Sequence, residues 1–187
     1  MKKIGTMLLA AIFVVSAFAF VYAQEDVKAE DTIAVAETQT GERLKSFGVF
    51  SDKHAAGNHY IPSGWMGDYG DIKLNDQYTD NPHGGTNCLQ FVYSAKKAQG
   101  QGWAGVYWQN PANNWGTKKG GFDLTGMTKI TFWARGEKGT EVIQKFVVGG
   151  VKGTYPDSAI IEMGPVELTD TWKEYTINLA SFFGLGG

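Results

Sequence analysis

The chain has 187 residues, 17 basic against 19 acidic, 43% hydrophobic residues, 13% aromatics and a single cysteine, Cys88. A net charge of −2 without a Lys/Arg run gives no electrostatic footprint for nucleic acid or an anionic membrane. With one cysteine the chain has no internal disulfide, so burial of a core must stabilise it.

In chain order, Lys2 and Lys3 precede an almost unbroken apolar run from Met7 to Tyr22, and Val21 and Ala23 put small residues at the positions a signal peptidase reads. Residues 1–23 thus read as a secretory signal peptide, the alternative being an uncleaved anchor. Residue 24 is Gln with no cysteine nearby, so the bacterial lipid-attachment pattern is missing. The product is expected to be secreted or periplasmic and off the membrane after cleavage. Loss of Lys2 and Lys3 leaves 15 basic residues against 19 acidic, a net charge of −4.

Residues 24–45 carry Glu, Asp, Thr and Ala with no aromatic, the composition of an acidic leader or linker. From Phe47 the chain turns to aromatic, glycine and β-branched residues, so one domain is expected over 46–187. Runs alternating with period two between Gly, Asn, Asp and Pro clusters predict an all-β domain. Strands are expected near 46–51, 87–94, 103–109, 128–135, 142–149, 158–163 and 172–179, a spacing that suggests a sandwich.

Strand parity assigns faces. Ile130, Phe132 and Ala134 share one side, and Lys129, Thr131, Trp133 and Arg135 the other, so Trp133 is expected outward. Leu89, Phe91 and Tyr93 form one inward row; Tyr175, Ile177 and Leu179 form another. In 103–109, Val106 and Trp108 are expected in the core, with Tyr107 and Gln109 facing out.

Trp103-Ala-Gly-Val-Tyr-Trp-Gln-Asn-Pro-Ala-Asn-Asn-Trp115 combines rings and amides without a charge. A pyranose presents an apolar face that stacks on a ring and a rim of hydroxyls that amides bond. The expected carbohydrate contacts are Tyr107, Gln109, Asn110, Asn113, Asn114 and Trp115, joined by Trp133 and Arg135 from another strand. Core packing and turn geometry are the plainer roles for the same residues.

Gly64-Trp-Met-Gly-Asp68, the loop Thr79-Asp-Asn-Pro-His-Gly-Gly85, Gly102-Trp-Ala-Gly-Val-Tyr-Trp108, Leu124-Thr-Gly-Met-Thr-Lys-Ile-Thr-Phe-Trp-Ala-Arg135 and Trp172-Lys-Glu-Tyr-Thr-Ile-Asn-Leu179 follow one another. Together they resemble the galactose-binding-domain-like jelly rolls of carbohydrate-binding modules, over about residues 46–179. The resemblance implies a jelly-roll β-sandwich, a polysaccharide or glycan partner, an attached or partner glycoside hydrolase, and a structural calcium ion. Candidate calcium ligands are Asp52, Asp76, Asp80 and Asp123, oxygen donors of the kind calcium takes. Relatives of this type continue into a closing strand ending in an acidic pair, whereas this sequence stops at Phe182-Phe-Gly-Leu-Gly-Gly187, so truncation at the C-terminus is expected.

The expected function is therefore exported, non-catalytic glycan binding. One alternative is a glycoside hydrolase or lyase, as an accessory or catalytic fragment; Asp68, Asp71, Asp76, Asp80 and Asp123 are its available carboxylates. The other is a structural or adhesive β-sandwich whose aromatic face meets protein. There is no nucleophile elbow, and His54 and His59, five apart, are a weak spacing for zinc.

Overall fold

A computed structural model describes residues 11–15, 46–179 and 185–186. The described chain is all-β, interrupted by one 3-10 turn at Tyr69–Asp71. No helix among the described residues is long and apolar enough to cross a membrane.

The strands are β1 (Ala11–Val15), β2 (Ile61–Gly67), β3 (Ile72–Tyr78), β4 (Cys88–Tyr93), β5 (Ala104–Gln109), β6 (Lys129–Ala134), β7 (Val142–Ile143), β8 (Lys145–Gly149), β9 (Ile160–Met163), β10 (Val166–Glu167) and β11 (Lys173–Asn178). Five form a sheet in the order β2-β5-β1-β8-β9, while β3–β4, β6–β11 and β7–β10 pair separately. In the large sheet β1 runs parallel to β5 and β8, and β2 and β9 flank it antiparallel.

Most strands follow from alternation. In β11, Tyr175 and Ile177 turn inward while Lys173, Glu174, Thr176 and Asn178 are exposed, the pattern of a half-solvated antiparallel strand. β6 keeps the same order except at Thr131, which is buried. β5 departs from it altogether: Ala104 through Gln109 are all buried, because the strand lies inside the sheet and both its faces are covered.

Three differences from the expected strands stand out. Residues 46–51 form no extended ladder; Phe47 and Val49 are buried core residues, and the Val49 carbonyl accepts the His59 and Tyr60 N–H groups. β2 and β3 fall in a stretch expected to be loop. Ala11–Val15, from the segment read as a signal peptide outside the fold, is the middle strand of the large sheet.

The motif Gly64-Trp-Met-Gly-Asp68 has a structural explanation. Gly67 sits at φ +61 where β2 ends, and a Cβ there would strike the Trp103 carbonyl, so glycine is required. The next residue, Asp68, is fully buried and accepts the N–H groups of Gln99, Gln101 and Gly102 at 2.8, 2.9 and 2.6 Å. Asp71 does the same for Lys97 and for the Ser94 hydroxyl, at 2.7 and 3.0 Å. Two buried carboxylates thereby fix the 94–102 connection ahead of β5.

The core lies between the large sheet and the two-stranded sheets. It gathers Val106 and Trp108 from β5, Phe146 and Val148 from β8, Ile130 from β6 and Ile177 from β11. Each such side chain contributes about 1.5–3 kcal/mol by leaving water. Phe132 of β6 stacks on Phe146 of β8 at 4.3 Å and 9°, and Phe91 of β4 meets Trp108 of β5 edge-on at 5.7 Å. These contacts define which face of each strand looks inward.

Candidate functional site

Alternation and the core contacts put the candidate sugar-binding residues on two opposite outer faces. Phe132 points into the core from β6, so Trp133 points away from it, and Trp108 points into the core from β5, so Tyr107 points away on the far side. The expectation that Tyr107, Gln109 and Trp115 join Trp133 and Arg135 in one platform is therefore corrected: the core separates the two groups.

On the β5 face, Tyr107 and Gln109 are not open. They are 3% and 2% exposed, because the 110–119 loop folds back over β5 and the 151–157 loop closes from the other side. The Tyr107 hydroxyl donates to Asp157 Oδ2 at 3.0 Å. Burial, then the Asp157 charge and hydrogen bond, push its pKa far above that of a free phenol. Gln109 accepts from the Ser63 hydroxyl at 2.9 Å and donates to the Asn114 carbonyl at 2.8 Å.

The amides of Asn110 and Asn114 in the loop are similarly engaged. Asn110 Nδ2 donates to the His59 carbonyl, and the Asn114 side chain accepts from the N–H groups of Gly116, Thr117 and Lys118 while donating to the Lys118 carbonyl. Asn113 takes a positive φ of 57, the left-handed position of a turn, and its N–H donates to Ser63 Oγ. Trp115 is 43% exposed and lies over Tyr107 with ring centroids 5.7 Å apart. The amides of Gln109 and Asn114, from the strand and loop that lead to this ring, are already bonded within the chain.

The β6–β11 face is different. Trp133 is 43% exposed and sits across from Glu174 of β11. His83, from the 79–85 loop, stacks on Trp133 at 3.8 Å and meets Trp172 edge-on at 5.8 Å. Trp172 Nε1 donates to the Asn81 carbonyl at 2.8 Å, which ties that loop to the start of β11. Arg135 lies over the Trp172 ring at 5.5 Å, a cation–π distance, and its Nη2 reaches the Asp80 carbonyl at 3.5 Å, a long and weak bond. Two indoles, an imidazole, a guanidinium and a carboxylate thus share one surface.

His83 and Trp172 were absent from the expected site. Trp172 stands just ahead of β11, and His83 lies 50 residues from Trp133 in sequence. No periodicity links residues that meet only through tertiary packing.

The candidate calcium ligands do not converge. Asp52 accepts the Thr86 N–H at 3.2 Å, Asp76 pairs with Lys53 at 2.9 Å, Asp80 accepts the Tyr78 hydroxyl at 3.2 Å and Asp123 accepts the Thr125 N–H at 2.9 Å. Among the described residues no three His, Cys, Asp or Glu side chains gather into a metal-binding group. The four carboxylates form no common oxygen cage.

Comparison with protein-family models, curated proteins and solved structures finds no match to this chain.

Proposed function

We propose that the protein is an exported, non-catalytic domain of jelly-roll type that binds a polysaccharide or glycan on the outer face of β6–β11. The observation carrying this reading is the exposed Trp133 with Arg135, Trp172, His83 and Glu174 around it. A pyranose ring stacks on the open part of Trp133, and its hydroxyls bond the Arg135 fork and the Glu174 carboxylate. Each stacked ring contributes on the order of 1 kcal/mol, so single sugars bind weakly and chains that span several contacts bind better.

The carboxylates available to the alternative, catalytic reading are each engaged within the chain. Asp68 and Asp71 are taken up by backbone N–H groups, Asp76 by Lys53, Asp80 by Tyr78 and Asp123 by Thr125.

The test is retention on immobilised cellulose, xylan, mannan, galactan and chitin, with Trp133→Ala and Arg135→Ala as variants. Retention on at least one of these that falls with both substitutions is the expected result. Equal retention of the variants and the parent removes the β6–β11 face from the reading, and new reducing ends in the supernatant remove the non-catalytic assignment.

A further inference from the structure

β2 is an edge strand of the large sheet, and its Trp65 sits across from Val106 of β5. Residues directly opposite in an antiparallel ladder share a face, and Val106 lies in the core, so Trp65 points to the inner side of the sheet. In the other layer, alternation turns Ile72, Leu74 and Asp76 of β3 to one side. Leu74 sits across from Phe91, whose ring meets Trp108 in the core, so that side is the inner one. Yet Trp65 is 37% exposed, and neither Trp65 nor Leu74 joins the core cluster. Two inward-facing apolar side chains stay open to solvent because the layers do not close at this edge.

The gap is a cleft of about 450 Å³ bounded by Trp65, Tyr69, Ile72, Leu74 and Asp76, a size that holds a small ligand. The turn joining its two walls is firmly held. Gly67 makes the bend at φ +61, and the buried carboxylates of Asp68 and Asp71 tie the 3-10 turn that carries Tyr69 to the 94–102 connection. Walls already in place lower the cost of binding.

The lining selects the chemistry of the occupant. Lys53 Nζ lies 2.9 Å from Asp76 Oδ1, so this end of the cleft is charged but carries no net charge. The pair uses one of two carboxylate oxygens and one of three ammonium protons. A wholly apolar ligand would bury the remaining polar groups without partners, and an ionic ligand would find its counter-charge already paired. A neutral sugar satisfies both parts: its C–H face stacks on Trp65 and Tyr69, and a hydroxyl donates to Asp76 while accepting from Lys53.

We propose that the cleft between β2 and β3 is a second saccharide-binding site, built to take one neutral sugar ring. It shares no residue with the β6–β11 face, and either site can exist without the other.

The test is an amide and indole N–H titration of the full chain by NMR. The probes are the β-linked trisaccharides of glucose, xylose, mannose, galactose and N-acetylglucosamine, each taken to its solubility. With at least one of them, the Trp65 indole and the amides of residues 69–76 are expected to shift saturably, in the parent and in Trp133→Ala alike. Trp65→Ala and Tyr69→Ala are expected to weaken the shifts of residues 69–76 at least tenfold; Tyr69, 53% exposed, provides a variant that disturbs no core packing.

Shifts confined to Trp133 and Trp172 overturn the cleft and leave the β6–β11 reading standing. Shifts confined to Trp65 and residues 69–76 support the cleft and remove the β6–β11 face. Shifts at the cleft that vanish in Trp133→Ala, or that persist at parent strength in both Trp65→Ala and Tyr69→Ala, overturn the proposal. Absence of any saturable shift with all five sugars overturns both sites.

Discussion

Trp133 and Tyr107 point away from one shared core in opposite directions. The Phe132–Phe146 stack, 4.3 Å between centroids, turns β6 and β8 toward each other, and the residue beside Phe132 must then face solvent. A glycan short enough to lie on one face cannot touch both residues.

Independence of the two faces gives the first prediction. Trp133→Ala is expected to weaken glycan retention about threefold to tenfold, the loss of one stacking ring. Trp115→Ala is expected to leave it unchanged, and the double variant to behave as Trp133→Ala alone. Affinity electrophoresis in soluble polysaccharide measures all three. A loss caused by Trp115→Ala of similar size would move the site to the β5 face.

The second prediction concerns Tyr107, whose hydroxyl is spent inside the protein. Tyr107→Phe removes the 3.0 Å bond to Asp157, while Asp157 keeps the Val151 N–H at 2.8 Å. A loss of about 1 kcal/mol in denaturant unfolding is expected, the ordinary value for one hydrogen bond. Glycan retention should not change, which separates a structural tyrosine from a contact residue.

Parity along strands made much of this arrangement legible. The inward Tyr175, Ile177 and Leu179, the outward Trp133, and the opposite facing of Tyr107 and Trp108 all follow from period two within one strand. What parity leaves out is covering. Tyr107 and Gln109 do turn away from the core, yet Asp157, Asn114 and Ser63 reach them from distant segments and bury them. β3 carries an alternating Ile72, Leu74, Asp76 and Tyr78, but its polar residues give it the composition of a loop. β2 owes its place to glycines that fit under Trp115 and against Trp103, contacts made across the fold. The pairing of Ala11–Val15 with β5 and β8 lies further still from local pattern, since the same five apolar residues read equally well as the centre of a signal peptide.

Acid stability supplies the third prediction. Glu141 is buried and accepts the N–H groups of Glu137, Lys138 and Thr140 at 3.0–3.3 Å. Burial alone would raise its pKa, but the N–H groups of Lys138, Thr140 and Glu137 outweigh that and hold it below the usual carboxylate range. In Asp68 burial is likewise outweighed by the N–H groups of Gln101, Gly102 and Gln99. A depressed folded pKa means the unfolded chain binds more protons, so the stabilisation is present above about pH 4 and is lost as pH falls through the folded values. The melting temperature is expected to hold from pH 7 to 5 and to drop below 4. Glu141→Gln and Asp68→Asn should be less stable at neutral pH and show a shallower acid slope. A slope equal to the parent's would locate acid sensitivity elsewhere.

The fourth prediction tests how closely the β5 face is packed. Gly64 sits across from Tyr107 in the β2–β5 ladder, and a Cβ added there would lie 2.8 Å from Tyr107 Cβ, 2.9 Å from Trp115 Cζ2 and 3.0 Å from Gln109 Cδ. Its φ is not in the left-handed region, so the obstacle is space rather than backbone conformation. Tyr107 is fixed by Asp157 and Gln109 by Ser63 and Asn114, so the exposed Trp115 is the side chain able to give way, while the contact with Tyr107 Cβ is met by a shift of β2 against β5. Gly64→Ala is therefore expected to cost about 1–3 kcal/mol, the range for overpacking, and to swing Trp115 outward. Comparing tryptophan emission of Gly64→Ala with that of a Gly64→Ala, Trp115→Phe double variant isolates that indole. If Trp115 moves while retention on polysaccharide stays at the parent level, the β5 face is packing and the β6–β11 face remains the site; if retention falls with the movement of Trp115, the assignment reverses.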